Sequence, residues 1–268
     1  MATIVITPPR RFSLPPVQQL WEGREVLYRF GARDVTLRYR QTALGVVWVI
    51  LQPLLTSAIL VLLFNRVAKL HYPVSPIVFI FCGMLAWNLF SGIIPRAAMS
   101  LVSNRDLVSK VFFPRMLVPL ATSVSTITDF LVSTVFMFVL QGIFGVAPGA
   151  ALVLAPFWAV MVILFASGFG LVTAALQVRY RDIAYIVPFV LQILLFASPV
   201  GYVVPQRYQT FFDVNPLTWL LADFRWAFLD LPAPPLWQIV LSIVVPVAVF
   251  LIGSIIFEQM ERSFADYI

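Results

Sequence analysis

Few side chains in this sequence could do chemistry, and the first to weigh is a carboxylate inside an apolar stretch. Asp129 sits amid Thr122, Ser123, Ser125, Thr126 and Thr128. A carboxylate in hydrocarbon is costly, so such a position is a functional hypothesis by default. Read as a lone acid with no basic partner inside the apolar segments, it is thin support for a proton relay, because ion-coupled transport gathers several polar ligands at one depth. A neutral or hydrogen-bonded carboxyl facing a polar cavity or a neighbouring helix is the plainer expectation. The second group is cationic. Arg33, Arg38 and Arg40 crowd the entrance to the first long apolar segment, and no charge follows until Arg66. They could receive an anionic head group, or serve only to hold that entrance at an anionic membrane face.

Other chemistry is excluded by what the chain lacks. The two lysines, Lys69 and Lys110, do not follow a glycine, and there is no GxxxxGK motif, so the sequence has no P-loop of its own. HExxH, CxxC and GxSxG are also absent. Cys82 is the single cysteine and lies in an apolar run, which rules out an intrachain disulfide or thiolate cluster. His71, the single histidine, reads as a solvated loop residue. No metal site or catalytic residue is expected.

The elements that must position Asp129 and the arginines are membrane spans. Of 268 residues, 61% are hydrophobic and 11% charged, with a mean hydropathy of +0.94. A soluble domain carries about 25% charged residues. The deficit runs the whole length, as in a polytopic membrane protein. The net charge of +6 is scattered through short loops, so a nucleic-acid partner is not expected. Six apolar segments lie near 43–64, 76–95, 116–140, 151–176, 183–204 and 236–257, each near the ~20 residues a bilayer requires. The first residues lack a signal-peptide core, so the amino terminus is expected to stay in the cytoplasm. With that orientation, fourteen of the eighteen Lys and Arg residues fall on the inside, a strong positive-inside bias. The expectation is an all-α membrane protein with six spans and both termini cytoplasmic. Its parts are an amino-terminal segment 1–42, a spanning domain 43–257 and a tail 258–268.

Three further stretches are expected to be ordered. Residues 17–33 have the spacing of an amphipathic helix lying in the interface, with Pro15 and Pro16 at its start. The connection 96–115 contains a helical piece, 105–112, with one charged face, suited to docking in a soluble partner; an ordinary interfacial loop explains it equally well. The outer connection 205–235 is too apolar for a free loop. Asn215 and Pro216 make a good helix start there, and a short re-entrant or interfacial helix is expected. Asp213, Asp223, Arg225 and Asp230 would keep its polar side wet. Aromatic residues within the spans, notably Trp48, Trp87, Phe90, Phe196 and Tyr202, could stack on sugar rings along a path; lipid-facing and interfacial placement is the plainer reading for most.

With that architecture in place, several blocks become recognisable. LRYRQTALGVVWVILQPL (37–54) resembles the entry to the first span in the ABC-2 type permeases that export polysaccharides. FIFCGMLAWNLF (79–90), SNRDLVSKVFFPR (103–115), QVRYRDI (177–183) and NPLTW (215–219) resemble further blocks of that family, in order along nearly the whole chain. The likeness is greatest to the O-antigen group.

The resemblance implies a homodimer paired with two copies of a separate ATPase, which would hold the ATP and Mg; no cofactor is expected in this chain. It implies an inner-membrane location and a lipid-linked glycan as substrate, its head group entering at Arg33, Arg38 and Arg40. Ser103, Asn104, Arg105, Asp106, Leu107, Lys110, Phe112 and Arg115 would form the coupling helix that touches the ATPase. Phe211, Phe212, Trp219, Phe224 and Trp226 would belong to an outer gate. A drug- or lipid-exporting permease of the same superfamily is the nearest alternative, and an ion-coupled transporter dependent on Asp129 is the alternative from another class.

Overall fold

The computed structural model describes residues 23–40, 45–105, 113–262 and 264, and among them all regular structure is helical. Helix α1 (Arg24–Tyr39) precedes the apolar elements. α2 (Val47–Val61) runs directly into a π-helical turn, Leu62–Val67. α3 spans Pro76–Ser103, and α4 (Leu117–Ala121) and α5 (Ser123–Phe144) are separated only at Thr122. A 3-10 turn, Ala150–Leu154, leads into α6 (Ala155–Arg179). α7 covers Ile183–Ala197. The short α8 (Gln209–Phe212) and the longer α9 (Pro216–Leu229) precede the last helix, α10 (Leu236–Glu261).

Five helical stretches are long and apolar enough to cross a bilayer: Val47–Val67, Pro76–Ser103, Leu117–Phe144, Ala150–Arg179 and Leu236–Glu261. The chain is a multi-pass helical membrane protein. The sixth expected segment, 183–204, is helical for only the 15 residues of α7, about 22 Å at 1.5 Å per residue. That is short of a ~30 Å hydrocarbon core. Its helix stops where the chain is needed for something else. The carbonyls of Pro199 and Val200 leave the helical direction and accept hydrogen bonds from Arg225, at 2.6 and 2.8 Å. Gly83 of α3 permits the close approach, since a Cβ there would lie 2.2 Å from the Val200 oxygen.

The other boundaries also shift. α1 begins inside the expected 17–33 helix and continues to Tyr39, because DVTLRY contains no helix breaker; residues 17–22 and the start at Pro15 and Pro16 lie outside the described residues. α3 continues past Pro95 to Ser103, so Arg96 is a helical residue rather than a loop residue. Proline within such helices is tolerated because neighbouring groups re-satisfy the freed carbonyls. The carboxy-terminal end of α3 is closed by Asn104, whose side chain donates to the Ser100 carbonyl at 2.8 Å. α5 ends on Gly145 at φ 66°, with the Val146 N–H bonded to the Gln141 carbonyl at 2.9 Å, the pairing of a Schellman terminus.

α3 is the central helix. In its most apolar 18-residue window 78% of residues are buried, against 17% for the first span and 22% for the last. It packs on α6, and α6 on α10. Phe90 of α3 stacks on Phe165 of α6, ring centroids 5.4 Å apart. The α6–α10 crossing is set by two glycines facing each other. A Cβ on Gly253 would lie 2.3 Å from the Gly168 oxygen, and one on Gly168 would lie 2.6 Å from the Val249 oxygen. Small residues at such crossings let backbones approach where no hydrophobic force between helices exists in lipid. Gly253→Ala should therefore force the pair apart and cost about 1–3 kcal/mol, read as a lowered unfolding temperature of the detergent-solubilised chain. Gly142→Ala, where a Cβ would meet nothing within 4 Å, should leave that temperature unchanged.

Candidate functional site

Asp129 is not a lone acid. It lies in the second turn and beyond of α5, one helical face across from α1 and α3, and both supply cations. Arg38 of α1 reaches its Oδ2 at 2.7 Å, and Arg96 of α3 approaches the same oxygen at 3.6 Å. Tyr39 donates its phenolic O–H to Oδ1, and Arg96 donates to the Ser125 hydroxyl. The expectation of a carboxylate without a basic partner fails because both arginines were assigned to connections. α1 runs six residues further than expected and delivers Arg38 and Tyr39, and α3 runs eight residues past Pro95 and keeps Arg96 in register. The Tyr39 phenol is pushed up to about 12, first by burial and then by its hydrogen bond to Asp129 and that residue's charge. It therefore stays protonated and remains the donor across any physiological pH.

The three arginines of the entrance have separate surroundings. Arg38 is half-buried on Asp129, whereas Arg33 and Arg40 are exposed. Arg33 donates to the Asn104 side chain at 3.3 Å, and Phe30 of the same helix lies 6.1 Å from the Phe113 ring. α1 thus touches both flanks of the connection between α3 and α4. Of the candidate coupling residues, Ser103 ends α3, Asn104 caps it and Arg105 follows. Asp106, Leu107, Lys110 and Phe112 lie outside the described residues. Arg115 is tied to the end of α10, with its Nε 3.9 Å from Glu261 Oε1 and its Nη1 donating to the Glu261 carbonyl at 3.5 Å.

On the other end of the molecule, α9 begins as its sequence requires. Asn215 Oδ1 accepts from the Leu217 N–H at 3.0 Å, with Pro216 in the first turn. The charges were expected to face water, and two of them do not. Asp223 is 0% exposed and Arg225 7%, because α9 packs against α3, α6 and α10 instead of lying on the surface. Arg225 is accommodated by the two carbonyls described above and by the Phe79 ring, whose centroid is 3.9 Å from its guanidinium carbon. A cation over an aromatic face is worth most when desolvated. Asp213 is only half-buried and accepts from the Gln238 side chain at 3.1 Å, and Asp230 is exposed.

The aromatic candidates divide in the same way. Trp87 and Phe90 are buried in the fold of the single chain and so cannot line a path along its outside. Trp48 and Phe196 are exposed, and Tyr202 is half-buried, its ring 5.3 Å from Phe64 and 5.8 Å from Phe212. Among the outer candidates Trp219 and Phe224 are buried, Phe211 is exposed, and Phe212 and Trp226 are half-buried. Tyr39, Arg96, Ser125 and Arg225 were missed as interacting residues. The unbroken helical pattern across Arg96 was the one signal available for any of them.

Removing Asp129 leaves two guanidiniums facing each other without a counter-ion. Asp129→Ala should lower thermal stability more than Arg38→Ala, and the double variant should recover part of the loss. A coupling of about 0.5–3 kcal/mol is expected for residues in one ion network, measured by a double-mutant cycle on the solubilised chain.

Comparison with known proteins agrees with this architecture. The chain is 30% identical over 257 residues to the O-antigen export system permease protein RfbA of Myxococcus xanthus, covering 94% of this chain and 98% of that protein. It is 24% identical over 240 residues to a protein of the same name from Klebsiella pneumoniae, covering 87% of this chain and 91% of that one. A second Klebsiella pneumoniae protein of that name is 21% identical over 238 residues, with the same coverage. The profile of the ABC-2 type transporter family matches residues 26–229, from α1 to the end of α9. A match over most of the sequence, reaching from α1 through four of the five long helices, makes this chain a member of the ABC-2 type transporter family.

Proposed function

We propose that this chain is the transmembrane subunit of an ABC exporter that moves a lipid-linked, O-antigen-like polysaccharide outward across the cytoplasmic membrane. The observation that carries this reading is end-to-end similarity to proteins named as O-antigen export permeases, with 94% of this chain and 98% of the Myxococcus protein aligned. The sequence holds no P-loop, so the energy comes from ATP and Mg on a partner ATPase. Two permease copies and two ATPase copies form the working unit, with both termini of each permease cytoplasmic. α7 serves as the remaining crossing, completed on its outer side by the segment after Ala197 and the docked α9.

In this reading, ATP closes the partner subunits and the segment 103–115 receives the motion. α1 adds rigidity to that segment, since Phe30 and Arg33 contact its two flanks. The head group of the substrate arrives at Arg33, Arg38 and Arg40, and the glycan passes along exposed aromatic groups, of which Trp48, Phe196 and Tyr202 remain candidates. Phe211, Phe212 and Trp226 are placed to move at the outer side, while the packed Trp219 and Phe224 hold α9 to the helices beneath it. Weak stacking suits a long polymer, because every sugar must be released as easily as it is gripped.

The test is a pull-down of the solubilised chain from its own cells, with an ATPase assay on what comes with it. A P-loop subunit should co-purify, and replacing residues 106–110 with a Gly-Ser linker should abolish that association while leaving membrane insertion intact. Arg33→Gln with Arg40→Gln should reduce glycan export several-fold without loss of assembly. A chain that purifies alone and transports on an ion gradient would overturn the reading.

A further inference from the structure

The contact between Arg115 and Glu261 is part of a larger join, and its centre is Phe264, just past the end of α10 at Glu261. The Phe264 ring is 2% exposed and meets the Phe257 ring edge-on, centroids 5.7 Å apart. Around them lies a buried apolar cluster separate from the main core. Leu101 of α3, Met116, Leu171 of α6 and Phe257 of α10 belong to it, and Phe113 packs against it.

These residues bracket the connection between α3 and α4. Leu101 lies just before Ser103 at its start, and Phe113 and Met116 flank Arg115 at its close. Both ends of the connection thus share one cluster with Phe264, although neither is near it in sequence. A polar contact reinforces the join. The Glu261 carbonyl ends α10, where the last carbonyls lack an intrahelical partner. Arg115 Nη1 donates to it at 3.5 Å, and Arg115 Nε lies 3.9 Å from Glu261 Oε1. A cation at a helix carboxy-terminus is also favoured by the helix dipole. Lipid is as apolar as protein, so a phenylalanine beside a membrane helix gains little hydrophobic energy by entering the fold. What its place in the cluster adds is a fixed contact, and that contact bears on α6 and α10, whose backbones meet closely at Gly168 and Gly253.

We infer that Phe264 and the Arg115–Glu261 pair form a clamp that seats both ends of the connection between α3 and α4 on the α6–α10 pair. α1 grips the same flanks through Phe113 and Asn104, so two separate supports hold one connection. A segment that receives a push passes it on only if its ends are fixed to something stiffer than itself. The clamp is that fixture. With it released, the connection yields while α3 and α4 stay where they are. The consequence for transport rests on the export reading, which supplies the ATPase that pushes; the seating of the connection does not. Phe264 acts through the connection and is a positioning residue.

The test begins with hydrogen–deuterium exchange on the full-length chain in nanodiscs. Phe264→Ala should raise exchange of amides 101–105 and 113–118 about tenfold, as a local opening does, while amides 79–90 of α3 keep their protection. Phe264→Leu, which leaves an apolar group in the cluster, should restore most of the protection. Arg115→Glu should loosen 113–118, and adding Glu261→Arg should recover part of the loss. The same variants are then assayed with the ATPase that co-purifies with the wild-type chain. Phe264→Ala should keep the association and the hydrolysis of ATP, while glycan exported per ATP falls several-fold. A residue that merely stabilises the fold would lower association, hydrolysis and export together and would raise exchange in 79–90 as well; that result overturns the clamp. Unchanged exchange at the two flanks overturns it too, as does unchanged export per ATP. A wild-type chain that brings down no ATPase overturns the export reading instead. The exchange pattern then decides the clamp by itself, since it needs neither ATP nor glycan.

Discussion

Surrounded by hydrocarbon, a polypeptide has to satisfy its own backbone hydrogen bonds, and this constraint governs the whole molecule. It explains why the long elements are all helices and why the break after α7 is buried. The carbonyls of Pro199 and Val200 leave the helix only where Arg225 takes them. It explains also why Asn104 and Gly145 close helices with specific hydrogen bonds rather than fraying. Where the backbone is irregular, a side chain stands ready to bond it.

Side-chain polarity obeys the same rule with charges added. Buried charge is tolerated when it is paired or ringed by donors and acceptors, and Arg225 and Asp129 are held in two different ways. At one end of the molecule a single cation, Arg225, is held by carbonyls and an aromatic face. At the other, one carboxylate of α5 gathers two guanidiniums and a phenol from two helices, α1 and α3. The first pins α9 against α3. The second borders a cavity.

Between them lies a scaffold of close helix contacts. α3 is buried on nearly all sides, α6 packs between it and α10, and glycines set how near the axes come. The first and last spans and α7 turn much of their apolar surface outward.

Much of this could be read in advance. Hydropathy by itself determined the membrane class and the approximate place of every long helix, because the bilayer selects composition over some twenty residues at a time. Asn215 followed by Pro216 announced the start of α9, since capping is a local matter. The ordered blocks of resemblance pointed to the ABC-2 family. Contacts between distant residues were not legible. Arg38 and Arg96 looked like loop charges because a basic residue near a segment end is ordinarily solvated, and Asp223 and Arg225 looked wet for the same reason. Trp87 and Phe90 could not be told from lipid-facing aromatics, because an apolar helix reads alike whether it faces lipid or protein. Sequence alone determined what each segment could tolerate as surroundings. Only the tertiary structure decided which helices met, because partners such as Arg38 and Asp129 are brought together by packing rather than by proximity along the chain.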